Sequence, residues 1–497
     1  MIKGVEKKQN INGSLPIGWK IAQVKDICDI IRGVSYKKPD SIQEAQKGYL
    51  PILRATNIQD NSLVLDKDLV YVTTDLVSEN QKLKIGDIVI ATSSGSKHLV
   101  GKTAQVKRNW LGAFGAFCAA IRSTVEVDHR YLGYFFNSPA YKDVIAAKAI
   151  GVNINNLRRG DIEELKIPIA PLKEQKRIVA EIEKQFSRLD EAVENLKRVK
   201  ANLKRYKASV LKAAVEGKLT EEWRKEHSDV EPADKLLAGI LAERRKKWEE
   251  AELAKMKAKG NKPKDDKWKK KYNEPQKPSE FYLDLPTSWI EVRAEQICDF
   301  ITKGTTPKAI KLFSDKGEIP FIKVYNLTKT GRLDFSIKPT FISNDTNEKE
   351  LARSRVYPGD VLMNIVGPPL GKVSVIPNSF GEGNINQAIA IFRAMPSYNN
   401  LLLSYFLLSD TVLTWAVRRA KATAGQFNLT LEICRNLPIP VPPAEEQETI
   451  FKLLEQLFTI IDELNNIIDK NLKRAERLRQ SILKKAFSGK LIQSKES

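Results

Sequence analysis

Sulfur and imidazole are scarce in this chain. Four cysteines (Cys28, Cys118, Cys298 and Cys434) and three histidines are scattered over 497 residues without a CxxC pair. That pattern argues against a disulfide framework and against a zinc site. Long apolar runs are missing as well. None approaches the ~18 residues that a membrane span needs, and the opening MIKGVEKKQNINGS lacks the apolar stretch of a secretion signal. A hydrophobic share of 42% and a mean hydropathy of −0.35 describe a soluble globular protein, for which the cytoplasm is expected and a membrane partner is not.

What is present in excess is positive charge. Lysine and arginine total 82 against 61 acidic residues, a net +21. By region it is +7 for 1–171, +9 for 172–280, +4 for 281–442 and +1 for 443–497. Such a balance suits a polyanionic partner, although 260–278 (GNKPKDDKWKKKYNEPQKP) also reads as a solvated basic linker. The length predicts two to four domains.

The chain is written twice. LPIGWKIAQVKDICDI (15–30) returns as LPTSWIEVRAEQICDF (285–300), and LPILRATNI (50–58) as IPFIKVYNL (319–327). IGDIVIA (85–91) matches PGDVLMN (358–364), VGKTAQV (100–106) matches LGKVSVI (370–376), and YLGYFF (131–136) matches LLSYFL (402–407). IPIAPLKEQKRI (167–178) returns as IPVPPAEEQETI (439–450), and SVLKAAVEGKL (209–219) as SILKKAFSGKL (481–491). Ordered matches at an offset that drifts only slightly are a tandem duplication.

Each copy opens with short alternating apolar runs cut by Gly and Pro, then a helical piece, which predicts an α+β module. The repeated IPxxP sentence then hands over to a helix. Pro171 and Pro443 fit a helix's first turn, and Glu174 and Glu446 follow where a carboxylate meets free N–H groups. Ile182, Leu189, Leu196, Leu203 and Val210 recur every seven residues, as do Leu454, Ile461, Ile468, Ala475 and Ile482. Leu457, Leu464 and Leu478 fall at the complementary spacing. This predicts two coiled-coil helices packed on each other, ended by Gly217 and Gly489. The expected fold is α+β, two repeated globular modules joined by two long antiparallel helices with a pseudo-twofold axis. The expected boundaries are a segment 1–14, a module 15–171, a helix region 172–219, a helical and basic insertion 220–280, a module 281–442 and a helix region 443–497. In the insertion, Trp223, Leu237, Leu241 and Trp248 suggest an extra packing or partner face, and the lysine-rich remainder a tether.

Taken together, the LPxxW opening, the GD and GK turns, the IPxxPxxEQ joint, the heptads and the duplication resemble the specificity subunits of type I restriction-modification systems. The resemblance covers nearly the whole chain. It implies that 15–171 and 281–442 are target recognition domains, each reading half of an asymmetric bipartite site in double-stranded DNA. It implies that the helices set the spacer and dock two methyltransferase (modification) subunits, which restriction (translocase/nuclease) subunits join. It also implies a non-catalytic chain without cofactor or metal, S-adenosylmethionine, ATP and magnesium belonging to partner subunits. The alternatives are a coiled-coil scaffold for partner proteins and a self-contained DNA-modifying enzyme.

Three stretches imitate enzyme motifs. SKHLVGKT (96–103) approaches a phosphate-binding loop, but Ser96 stands where the first glycine belongs, and GPPLGKV (367–373) in the other copy is shorter. SFGEGN (379–384) glances at an S-adenosylmethionine loop, without any Asn/Asp-Pro-Pro-aromatic tetrapeptide. Pro39-Asp40 with Glu44 and Lys47 has a spacing one residue too long for a nuclease site.

DNA reading needs cations for phosphates and amides or arginines for base edges. In the first copy the candidates are Arg32, Lys37, Lys38, Arg54, Asn57, Ser94, Lys97, Asn153, Asn155, Asn156, Arg158 and Arg159. In the second they are Lys303, Thr305, Thr306, Lys308, Lys323, Asn326, Lys329, Asn384, Asn386, Gln387, Lys421, Gln426 and Asn428. The competing role for loop asparagines is turn geometry.

Overall fold

The computed structural model describes residues 15–94, 99–148, 155–261, 263, 265–314, 316–423 and 426–492; of 94, 155, 421–423 and 426 it describes only the backbone. The expected segment 1–14, Lys97 and Asn153 lie outside the described residues. Two compact units emerge, 1–198 with 467–497, and 199–466.

In the first unit an antiparallel sheet runs in the order Thr103–Gln105, Ile88–Ala91, Cys118–Ser123, Cys28–Arg32. Its strands are apolar on both faces, so their period of two divides them between two cores. Ile88, Ile90, Ala119 and Ile121 join the helices. Val89, Ala91, Cys118 and Ala120 face a second sheet through Leu53 and Phe114. That sheet contains Ala113–Phe114, Tyr49–Leu53, Val70–Thr73 and Ser41–Ile42, with its first pair parallel. The second unit repeats the plan. Val361, Met363, Ala390 and Phe392 pack on helices, while Leu362, Ile389 and Ile391 pack on the companion sheet. The repeated GD turn has a repeated task. Arg122 donates to both oxygens of buried Asp87 at 2.8 and 2.7 Å, and Arg393 to both oxygens of Asp360 at 2.7 Å.

The twice-written joint is a latch. Lys20–Gln23 pairs with Lys166–Ile169, and Ile290–Arg293 with Pro438–Val441, closing each module at its helix. Glu174 and Glu446 do not turn back on the helix start as expected. They accept indole N–H groups, Trp19 Nε1 at 3.1 Å and Trp289 Nε1 at 2.7 Å. Glu446, fully buried, also accepts from Thr220 Oγ1 at 2.6 Å and Arg224 Nη1 at 2.5 Å. The adjacent glutamines tie the helix start to the module. Gln175 bonds to Ala170 O and Asp128 N, Gln447 to Pro442 O and Asn399 N.

Each helix spans 44 residues, Leu172–Val215 and Ala444–Phe487, or about 66 Å at ~1.5 Å per residue. Each ends at a left-handed glycine, Gly217 (φ 71°) or Gly489 (φ 69°). A Cβ on Gly489 would collide with the Pro16 ring, and one on Gly217 with the Pro286 ring. Each module's Pro-x-x-Trp start therefore holds its own helix by the tryptophan and the other helix's end by the proline.

Within each unit the two helix segments run antiparallel. In the first, Ile182 and Phe186 share a core with Ile482, Leu483 and Ala486, Arg479 lies 4.4 Å over the Phe186 ring, and Asp190 pairs with Arg479. In the second, Val210 and Ala214 share a core with Leu454 and Phe458, and Lys207 lies 4.4 Å over Phe458. Burial pushes the Lys207 ammonium down against the opposing charge of Asp462. Tyr134 meets Phe186 edge-on at 5.7 Å, and Tyr405 meets Phe458 at 5.2 Å. The quartet Tyr–Phe–cation–Asp thus occurs in both units.

The seam residues from Leu454 to Ile482 are buried, as are Ile182 and Val210, whereas Leu189, Leu196 and Leu203 are half-buried. Of the complementary row, Leu457 packs half-buried on the core as expected, and the other two members do not. Leu464 and Leu478 are exposed, and Phe458, Leu472 and Ala486 turn inward. Positions three and four residues along flank a helical stripe equally, and the aromatic contacts of Phe458 decide between them.

The insertion folds onto the second unit. Leu237 and Ile240 of helix Ala233–Ala258 join its core with Leu241 alongside, and Trp223 stacks on His227 at 4.3 Å. The lysine-rich remainder is more than a tether. Buried Trp268 in the turn Asp266–Lys271 stacks on Trp248 at 6.0 Å.

Replacing Glu446 by Ala removes the acceptor of the Trp289 indole and the Thr220 hydroxyl. It also removes the carboxylate partner of Arg224, which keeps Thr220 Oγ1 and Gly217 O, and should cost about 3 kcal/mol. Glu174→Ala, which removes one bond from a half-buried site, should cost about 1 kcal/mol. Denaturant unfolding followed by tryptophan fluorescence measures both. The four free thiols are buried, and burial pushes Cys28, Cys118 and Cys434 up to about 12. The native chain should therefore leave a chromogenic disulfide reagent uncoloured at pH 8 and release four thiols on denaturation.

Candidate nucleic-acid interface

A cleft of about 1220 Å³ opens on the first module. Arg32, Arg54, Arg158 and Arg159 line it, with Tyr36, Thr56, Ser93, Asn156 and Phe117. Arg32 ends the strand Cys28–Arg32, opposite Ala119. The next residue must be glycine, because a Cβ on Gly33 would strike the carbonyl of Gly115. Arg54 heads a short 3-10 turn, and its Nη2 donates to Asp68 O at 2.7 Å. Arg159 pairs with Glu163 at 2.7 Å on an exposed helical turn, where the pair neutralises little. Burial pushes the Tyr36 phenol above its ordinary range, against the pull of Arg54, so it serves as a neutral hydrogen-bonding group. Guanidinium, phenol, hydroxyl and amide groups in one concavity are a donor-rich set suited to phosphates and base edges.

The second module rebuilds this frame with other cations. Lys303 ends its strand opposite Ala390, as Arg32 does opposite Ala119. Gly304 follows, pressed against the carbonyls of Ile385 and Asn386. Lys323 heads the turn Val324–Asn326 as Arg54 heads Ala55–Asn57. Asn156 pairs with Ser93, and Asn428 with Val366, at matching places. Lys37, Lys38, Thr305, Thr306, Lys308, Lys329 and Gln387 are exposed, and Asn386 and Asn428 half-buried. The Asn386 Oδ1 is buried without a partner, a state that costs about 1–3 kcal/mol.

Three expected base readers are spent inside the protein. Buried Asn57 accepts from Arg54 N at 2.8 Å and donates to Val64 O and Lys67 O. Asn326 does the same with Lys323 N, Asp334 O and Ile337 O. Fully buried Asn384 bonds Asn347, Leu351 and Ser354. Their amides hold turns, the competing role that a loop asparagine always carries. The side chains of Ser94, Asn155, Lys421 and Gln426 lie outside the described atoms. Asp40, the decoy carboxylate, caps its own turn by accepting from Lys37 N at 2.8 Å. Tyr36, Thr56 and Ser93 fall in the polar segments 32–38, 54–57 and 92–98 that the sequence marks as candidates, whereas Phe117 does not; its only signal is its place in an apolar stretch, GAFGAFC (112–118).

A family model described as the type I restriction modification DNA specificity domain matches residues 16–205 and again 286–474. The EcoKI specificity subunit of Escherichia coli (strain K12), from a type I restriction enzyme, is 30% identical over 489 residues, covering 96% of this chain and 90% of that one. The StySPI specificity subunit of Salmonella potsdam is 30% identical over 487 residues, 96% and 90% respectively. A solved structure from work on assembly and conformational transition of the type I R-M system superposes with a TM-score of 0.65 at 20% identity, covering 96% of this chain and all of the other.

Replacing Arg54 by Ala should leave the melting temperature within about 2 °C, since an exposed change costs about ±0.5 kcal/mol at most, yet weaken retention on duplex DNA. Asn57→Ala should show the reverse emphasis, a stability loss of about 1–3 kcal/mol from unpaired backbone groups. Thermal melts and filter binding with the partner complex separate the two roles.

Proposed function

The chain belongs to the family of type I restriction-modification DNA specificity subunits, and from that membership we propose how it works. Each module lies on one half of an asymmetric, two-part DNA site and reads it without catalysing any step. The observation that carries this reading is the repeated frame: Arg32 and Lys303, Arg54 and Lys323, Asn156 and Asn428 stand at matching backbone positions. A shared cationic frame fits a shared ligand, the phosphate backbone, which positions a reader without carrying sequence information. The side chains between those cations differ, so the two half-sites differ.

The long helices set the spacing between half-sites and present surfaces to two modification subunits, which restriction subunits join. Chemistry stays with those partners, which supply S-adenosylmethionine, ATP and magnesium sites, and the assembly works in the cytoplasm. No single helix among the described residues is long and apolar enough to cross a membrane.

Exchanging residues 15–171 for the matching region of a relative should change one half of the methylated motif and leave the other intact. Methylome sequencing of a host carrying the whole system reads this directly, and a change in both halves overturns the modular reading. Binding by the assembled complex should also fall with salt, by about 0.9 log units per log unit of salt for each neutralised phosphate.

A further inference from the structure

The most informative comparison within this chain is one turn built twice. In the first module Gly115-Ala116-Phe117 joins the companion sheet to the central strand Cys118–Ser123. Asn386-Gln387-Ala388 does so in the second module. The backbone bonds are the same. Gly115 N donates to Leu53 O at 2.8 Å, and Asn386 N to Ile322 O at 3.1 Å. Cys118 N closes on Gly115 O at 2.8 Å, and Ile389 N on Asn386 O at 3.2 Å. The carbonyls of Phe117 and Ala388 accept from Thr92 N and Ile365 N, both at 2.8 Å. Gly33 and Gly304 press on both turns from the strand that ends in the frame cation.

Only the side chains differ. Phe117 is 68% exposed on a turn hydrogen-bonded at both ends, in the cleft lined by the arginines. An exposed phenyl ring among cations is not accounted for by the core, from which it points away. At the matching turn Gln387 is exposed, and Asn386 holds an acceptor oxygen without a donor.

We propose that this turn is the sequence-reading element of each module, resting on the functional reading above. In the first module the Phe117 ring makes apolar contact with a thymine methyl group. In the second the exposed amide of Gln387 pairs with an adenine edge. Thymine is the one base that offers a methyl to the major groove, and a side-chain amide matches adenine N6 and N7 in a bidentate pair. The turn's backbone is common to both modules. The reader stands on its third residue in the first and on its second in the second, and the side chain placed there chooses the base.

The test uses the full system in a host, with Phe117→Ala and Gln387→Ala as separate variants and methylome sequencing as the readout. Both side chains are exposed, so neither truncation removes packing, and a melt of each purified variant checks this. Phe117→Ala should relax one thymine position in one half of the motif by on the order of tenfold or more. Gln387→Ala should relax one adenine position in the other half by a similar factor, leaving the first half strict. A two-part motif that is unchanged in both variants, relaxed in both halves at once, or relaxed only at G·C pairs overturns the proposal while the functional reading stands. A wild-type system without any two-part motif overturns both.

Discussion

Each globular module is gripped at a single short sequence, Pro-x-x-Trp, by two different helices, and the remaining architecture depends on that grip. The indole N–H needs an acceptor when buried, and the glutamate one turn into the following helix provides it. The proline ring needs a partner without a side chain, and the glycine that ends the other helix provides that. Neither interaction tolerates a shift of register. A carboxylate one residue away would leave an indole unpaired, and a side chain at the glycine would both clash and strain a left-handed backbone. The antiparallel course of the helix segments in each unit is thus fixed at their ends as well as along the seam.

Along the seam the same economy recurs. A phenylalanine of one helix carries a cation from the other, with a tyrosine of the module against its edge and an aspartate near the cation. Quadrupole and charge reinforce each other there, and the shape of the contact sets which residues face inward. The second unit carries the heavier version, since Glu446 gathers an indole, a hydroxyl and a guanidinium where Glu174 takes an indole alone. Thr220 and Arg224 come from the insertion, so the added segment strengthens the latch in the copy that possesses it.

Around the cleft and its counterpart, buried polar groups hold the turns and exposed ones are left free of that task. Asparagines that hold turns, Asn57 and Asn326, bond backbone groups at equivalent positions in both copies and place Arg54 and Lys323. Asp87 and Asp360 do likewise for the GD turns through Arg122 and Arg393. These buried polar groups must be satisfied wherever they occur, so duplication left them alike. Exposed positions carry no such constraint, and there the copies diverged.

The duplication, the two long helices and the seven-residue seam are legible in the sequence because period and punctuation are local properties. The sequence does not separate Asn57 and Asn384, spent on backbone and neighbouring amides, from Asn156 at the cleft, because burial depends on residues far along the chain. Nor does it choose between Leu457 and Phe458 as the deeper seam residue, since both flank the same helical stripe and the aromatic neighbour Tyr405 favours Phe458. Phe117 resembles any apolar residue near a strand until the turn that carries it is seen facing a cleft of arginines. Pattern alone determined which elements exist and how often. Tertiary contact decided which side chains are left over for a partner, because availability is what remains after every buried group has found its bond.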